Sequence, residues 1–142
     1  MDTKHTYISS EDLWENFSTA TETIWVKTFI VETCNDLVKL TWLNDQFCCF
    51  SGFTITVDKD KFRSGLETVK HDLNKDYSSS TIESNISEDY RVDFVNNRYI
   101  DRQVNNFFIS FIKDREMCVA SFCCDRQMAK QIINDFVKDN QT

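Results

Sequence analysis

No proline and only two glycines occur in the 142 residues of this chain. Glycine supplies the positive φ of tight turns and proline presets others, so this chain has to turn on Asn, Asp and Ser. Glycine-rich phosphate loops, nucleophile elbows and dinucleotide fingerprints need glycines at fixed spacings, and none is present. Turn-forming residues fall at Cys34-Asn-Asp36, Asn44-Asp45, Asn96-Asn97 and Lys113-Asp-Arg115. Between them the apolar residues follow two periods, one of strands and one of helices.

The strand period dominates. Thr23 to Glu32 is apolar on both parities, with Ile24, Val26 and Ile30 against Trp25, Phe29 and Val31, which predicts one strand covered on both sides. Leu37 to Leu43 alternates Val38, Leu40 and Trp42 with Lys39 and Thr41, the pattern of a half-buried strand, and Gln46 to Val57 follows it to complete a meander. Further strands are expected at Thr81 to Ile86, Tyr90 to Val95, Arg98 to Ile112 and Glu116 to Cys124. Helices are expected where the period changes. Phe62, Leu66, Val69 and Leu73 form one stripe after the capping candidates Asp58 and Asp60, with Gly65 allowing close packing and Ser78 to Ser80 closing the element. Met128, Ile132, Ile133, Phe136 and Val137 form another stripe after Asp125, and Ser9 or Ser10 could cap a short helix through Phe17. This order implies an α+β fold, an antiparallel β-sheet or sandwich of about six to seven strands with a central and a C-terminal helix packed against it.

Twelve Phe and three Trp within 41% apolar content suffice for a core, so residues 1–142 are expected to form a single domain with a loose N-terminal segment 1–9. Twenty-three acidic residues against sixteen basic give a net charge of −7, which repels phosphate backbones and anionic lipid and steers a basic partner inward. No apolar run approaches the roughly 20 residues of a membrane helix, and the first ten residues have no apolar centre of a secretory signal, so a cytoplasmic protein that binds neither nucleic acid nor membrane is expected.

Cys118-Val-Ala-Ser-Phe-Cys-Cys-Asp125-Arg126-Gln127-Met128 is a strand rich in Phe and small residues, an Asp at the turn, then an apolar helix. It resembles a motif of the WapI-like bacterial immunity family, in which Phe-x-Phe, two residues and Asp-Gln-Thr precede an aliphatic helix. Phe122, Asp125 and the helix carry the match, while Arg126 stands at the Gln position and Gln127 at the Thr position. Phe53 to Leu73 is similar to that family's central strand and helix. The resemblance implies an inhibitor that occupies a polymorphic toxin, often a basic nuclease, and needs no cofactor.

The chemistry-bearing residues also have plainer roles open to them. The vicinal pairs Cys48-Cys49 and Cys123-Cys124 point to opposite sheet faces and lack zinc spacing, so buried thiols are expected rather than metal ligands. His5, in the N-terminal segment, and His71, on the polar side of the central helix, have no nucleophile nearby in sequence. Neither a catalytic residue nor a metal site is therefore assigned. The acidic residues Glu83, Glu88, Asp89 and Asp93 cluster with Tyr90 and Tyr99, which flank polar turns, and these six are the candidate partner-binding residues. A protein-binding immunity protein is the leading expectation. An adaptor or subunit domain of a larger assembly, and a small cysteine-dependent enzyme, are its rivals.

Overall fold

A computed structural model of the protein describes residues 3–9, 24–44, 51–75, 77–87, 89–99, 104–114 and 117–137. It is mostly β, with two sheets and two helices. The first sheet has four strands in the order β1 (Thr3–Ile8), β3 (Thr28–Cys34), β4 (Leu37–Asn44) and β5 (Ser51–Asp58). The second has five, in the order β2 (Ile24–Val26), β9 (Met117–Asp125), β8 (Val104–Lys113), β7 (Tyr90–Tyr99) and β6 (Tyr77–Glu83). Helix α1 (Lys59–His71) joins β5 to β6, and α2 (Arg126–Phe136) follows β9. The described strands number nine rather than about six to seven.

Two local causes raise the strand number. The apolar run expected as one strand breaks at Lys27: β2 pairs parallel with β9, whereas β3 pairs antiparallel with β1 and β4 in the other sheet. Its two-sided apolarity reflects a chain that changes sheets at a corner. Thr3–Ile8, expected within a loose segment, forms β1, which pairs along β3 from Thr3 opposite Thr33 to Ile8 opposite Thr28. The expected helix from Ser10 to Phe17 and the Asn44-Asp45 turn lie, wholly or in part, outside the described residues.

Ser78 to Ser80, expected to terminate a helix, lie inside β6, where Ser79 opposes Val95 and Ser80 opposes Phe94. Serine has little strand preference, and pairing to β7 overrides it. Asn96, expected in a turn, is buried within β7 and donates from Nδ2 to the Leu73 carbonyl at 3.2 Å. That side chain serves the end of α1, so the strand continues through it to Tyr99. The turns at Asn35 and Asp114 do form, each with φ 54°. Both residue types tolerate this left-handed region, which is how the chain turns there without glycine.

The two sheets meet through aromatic rings. Phe29 of β3 stacks on Phe122 of β9 with centroids 5.5 Å apart, and Trp42 of β4 meets Phe111 of β8 edge-on at 5.4 Å. Trp42 is fully buried and donates from Nε1 to the Ile109 carbonyl of β8 at 2.9 Å. The rest of that sheet's inner face is covered by the helices: Phe62 of α1 packs edge-on against Phe94 of β7 and Phe136 of α2. The expected stripe of Phe62, Leu66, Val69 and Leu73 is buried, as are Ile132, Ile133 and Val137 after Asp125. Asp125 caps α2 by accepting from the Met128 amide at 2.9 Å, whereas Asp58 holds the N-cap position of α1 without a side-chain bond.

Replacing Trp42 with Phe keeps an aromatic ring but removes the donor to Ile109. A buried carbonyl losing its partner costs about 1–3 kcal/mol, so W42F is expected to lower the unfolding free energy by that amount, read as a lower urea midpoint at unchanged slope. An unaltered midpoint would show that the bond contributes nothing.

Candidate docking groove at the free edge of the five-stranded sheet

Helix α1 runs over β6, the last strand of its sheet among the described residues. Gly65 makes the close approach possible. A Cβ at that position would stand 3.1 Å from Ile82 Cγ2 and 3.1 Å from the Phe94 ring, tighter than ordinary van der Waals contact. The Ser80 hydroxyl completes the contact by donating to the Gly65 carbonyl at 2.8 Å. The small residues of β6 thus let the helix settle onto the strand.

Beside this contact lies an open groove of about 590 Å³. Asp60, Lys61, Ser64 and Thr68 line it from α1, and Ser80, Thr81, Ile82 and Glu83 from β6. Arg91 closes the lining from β7, directly opposite Glu83 in the ladder. The Asn85 amide, just past β6, donates to the Thr56 carbonyl of β5 at 3.0 Å. That bond holds the end of β6 beside the β5–α1 junction, and the charged lining is balanced in sign, Asp60 and Glu83 with Lys61 and Arg91. The lining is hydroxylic and charged, suited to hydrogen bonding more than to an apolar ligand.

The candidate partner-binding residues divide. Glu83 is exposed and lines the groove, and Asp93 stands behind it, accepting from the Thr81 hydroxyl at 2.7 Å. Asp89 is exposed in the turn before β7, where its carbonyl accepts from the Asp114 amide at 2.9 Å. Tyr90 is half-buried, its ring 5.8 Å from Phe111, so it contributes to packing. Glu88 and the side chain of Tyr99 lie outside the described residues. On the groove's helical side, Asp60 reads in the sequence as a helix cap and as one of a pair of acidic residues with Asp58, while Lys61, Ser64 and Thr68 belong to the polar side of α1, which reads as an ordinary solvated face until a strand edge is placed beside it.

The other chemical candidates take structural places. Cys34 is exposed, Cys118 half-buried, and Cys123 and Cys124 are buried, while Cys48 and Cys49 lie outside the described residues. Burial, with Asp125 adding to it, pushes the Cys123 thiol up to about 12. Burial likewise raises Cys124 well above the ordinary thiol range. Thiols held protonated are poor nucleophiles and poor metal ligands. His5 sits in β1, its Nδ1 3.7 Å from an Asp135 carboxylate oxygen and its ring edge-on to Phe136 at 4.9 Å. The Tyr7 hydroxyl donates to the same carboxylate at 2.6 Å, and burial raises its pKa above the ordinary tyrosine value. These contacts dock β1 on α2. Among the described residues no group of three or more His, Cys, Asp or Glu is arranged to hold a metal ion.

The motif that carries the family resemblance is likewise built into the fold. Asp125 caps α2, and Arg126 donates to the Leu73 carbonyl at 3.1 Å and to Asn74 Oδ1. Arg126 therefore ties the start of α2 to the end of α1. No protein-family model, curated protein or solved structure matches this chain.

Two outcomes follow from this geometry. Alanine at Gly65 gains helix propensity of about 1 kcal/mol but overpacks a site where comparable crowding costs about 1–3 kcal/mol. G65A is expected to destabilise the protein by about 1 kcal/mol in urea unfolding, and a gain in stability would show that Ile82 and Phe94 yield freely. Site-resolved alkylation of the native protein at pH 8 is expected to modify Cys34 readily and to spare Cys123 and Cys124 until denaturant is added. Native modification of the buried pair at the rate of Cys34 would contradict their burial.

Proposed function

We propose that the chain is a non-enzymatic protein-binding domain of the cytoplasm, an immunity protein that occupies a basic toxin and occludes it. The groove between α1 and β6 carries this reading. It is open and hydrogen-bonding in character, lined by Asp60 and Glu83 together with Lys61 and Arg91, and its Thr81 hydroxyl donates to Asp93. A net charge of −7 steers a cationic partner toward the protein from a distance. The buried thiols, driven toward their protonated forms, favour binding over a cysteine-dependent reaction. The resemblance of the Phe122 to Gln127 passage to the immunity family supplies the partner class, a basic toxin such as a nuclease.

The test is reconstitution. Mixed with its toxin, the chain is expected to form a stoichiometric complex that abolishes the toxin's activity, with an association rate falling about tenfold between low and high salt. A toxin that keeps full activity in the presence of excess chain, or turnover of a substrate by the purified chain itself, would overturn the proposal.

A further inference from the structure

The ladder between β6 and β7 shows which backbone groups of β6 are turned away from β7. Ser84 donates its amide to the Tyr90 carbonyl at 2.9 Å, so the pair 84–90 is a hydrogen-bonded one. Hydrogen-bonded and non-hydrogen-bonded pairs alternate along an antiparallel ladder. Counting back through the uninterrupted register, Ile82, Ser80 and Ser78 turn their amides and carbonyls toward β7. Glu83, Thr81 and Ser79 turn theirs toward the free edge, beside the groove. The odd orientation recurs at Asn85, whose amide points away from β7 to reach Thr56.

The other described edges are shielded in ways that β6 is not. β2 has three residues, β1 carries Lys4, and the Thr56 carbonyl of β5 is taken by Asn85. Short length, charge and coverage are the usual protections against strand addition. β6 spans seven residues, Tyr-Ser-Ser-Ser-Thr-Ile-Glu, carries charge only at its end in Glu83, and pairs with β7 without a proline or a bulge.

We propose that β6 receives an extended segment of the partner protein as an additional strand, hydrogen-bonded to Ser79, Thr81 and Glu83 and flanked by α1, with a Lys or Arg of the segment beside Glu83. This rests on the reading of the chain as a protein-binding domain and specifies how the partner is held. A lone segment fits where a second copy of this chain does not. Antiparallel pairing of two β6 edges about a two-fold axis puts both α1 helices on one face. Strands pair about 4.8 Å apart, but packed helices need about 8–10 Å between axes, and α1 already lies directly on β6. The segment's chemistry follows from the lining. Side chains facing α1 meet Ser64, Thr68 and Ser80, which favour small or hydroxylic groups, while those on the outer face meet Thr81 and Glu83. Arg91 opposes Glu83 from one side only, and an incoming cation would take the other.

Peptides displayed on phage as random 12-residue segments, panned against the full chain, test this. Enriched peptides are expected to lack proline and to carry Lys or Arg. Amide exchange in the free protein should be fast at Ser79, Thr81 and Glu83 and slow at Ser78, Ser80 and Ile82, and a bound peptide should slow the first three. S79P removes a free-edge donor while leaving the bonds to β7 intact, a substitution edge strands tolerate, and should weaken the peptide about tenfold. E83Q provides a second variant that leaves the backbone untouched, and should weaken cationic peptides while reducing their salt dependence. Failure to enrich peptides, peptides whose affinity ignores both variants, or chain dimerisation abolished by S79P would each overturn strand addition. If the toxin is still neutralised in that event, the immunity reading stands and only the binding mode falls. If peptides bind as expected but no toxin is neutralised, the converse holds.

Discussion

The hydrogen bond from the Trp42 indole to the Ile109 carbonyl crosses the interior between the two sheets at 2.9 Å. Apolar packing alone tolerates several alignments of one sheet on another, because burial of area has no direction. A buried donor that must find its acceptor accepts far fewer. Phe29 on Phe122 and Trp42 against Phe111 then fill the space around that bond. With the sheets fixed in this way, part of the inner face of the five-stranded sheet extends past the four-stranded one. Phe94, Phe107 and Cys124 on that face are buried, and α1 and α2 pack on the same sheet and on each other through Phe62 and Phe136.

That arrangement decides where the groove lies. α1 comes down on β6 because Gly65 has no side chain to hold it off Ile82 and Phe94. The same contact leaves the polar side of the helix, Asp60, Ser64 and Thr68, along the unpaired edge of the strand. Polar residues there are not simply solvated surface. They form one wall of a groove whose other wall offers backbone amides and carbonyls in a fixed direction, and backbone groups recognise an extended chain with little regard for its sequence.

Charge acts on a different scale. The excess of carboxylates biases the approach of partners over a Debye length of about 10 Å, but it says little about where they settle. Settling requires convergence, and of the described candidate partner-binding residues Glu83 lines the groove while Asp93 accepts from its Thr81. Tyr90 is drawn inward because its parity on β7 is that of Val92 and Phe94, and its ring fills space beside Phe111. A tyrosine next to a polar turn looks exposed in a linear sequence. Strand parity decides otherwise.

Both helices, the Asn35 and Asp114 turns, the capping role of Asp125 and the burial of Cys123 and Cys124 were legible in the sequence, because each depends on residues within a turn or two of one another. Local periodicity also marked most strands. It did not reveal that the run through Lys27 divides between two sheets, that Ser78 to Ser80 extend a strand, or that Asn96 serves the end of a helix far away in the chain. Those outcomes were decided by pairing and hydrogen-bond partners remote in sequence, which overrule the modest preferences of single residues. The groove belongs to the same class. Composition and spacing set which residues were polar and which apolar, but only the folded arrangement brought one face of a helix to the edge of a strand and so made a groove.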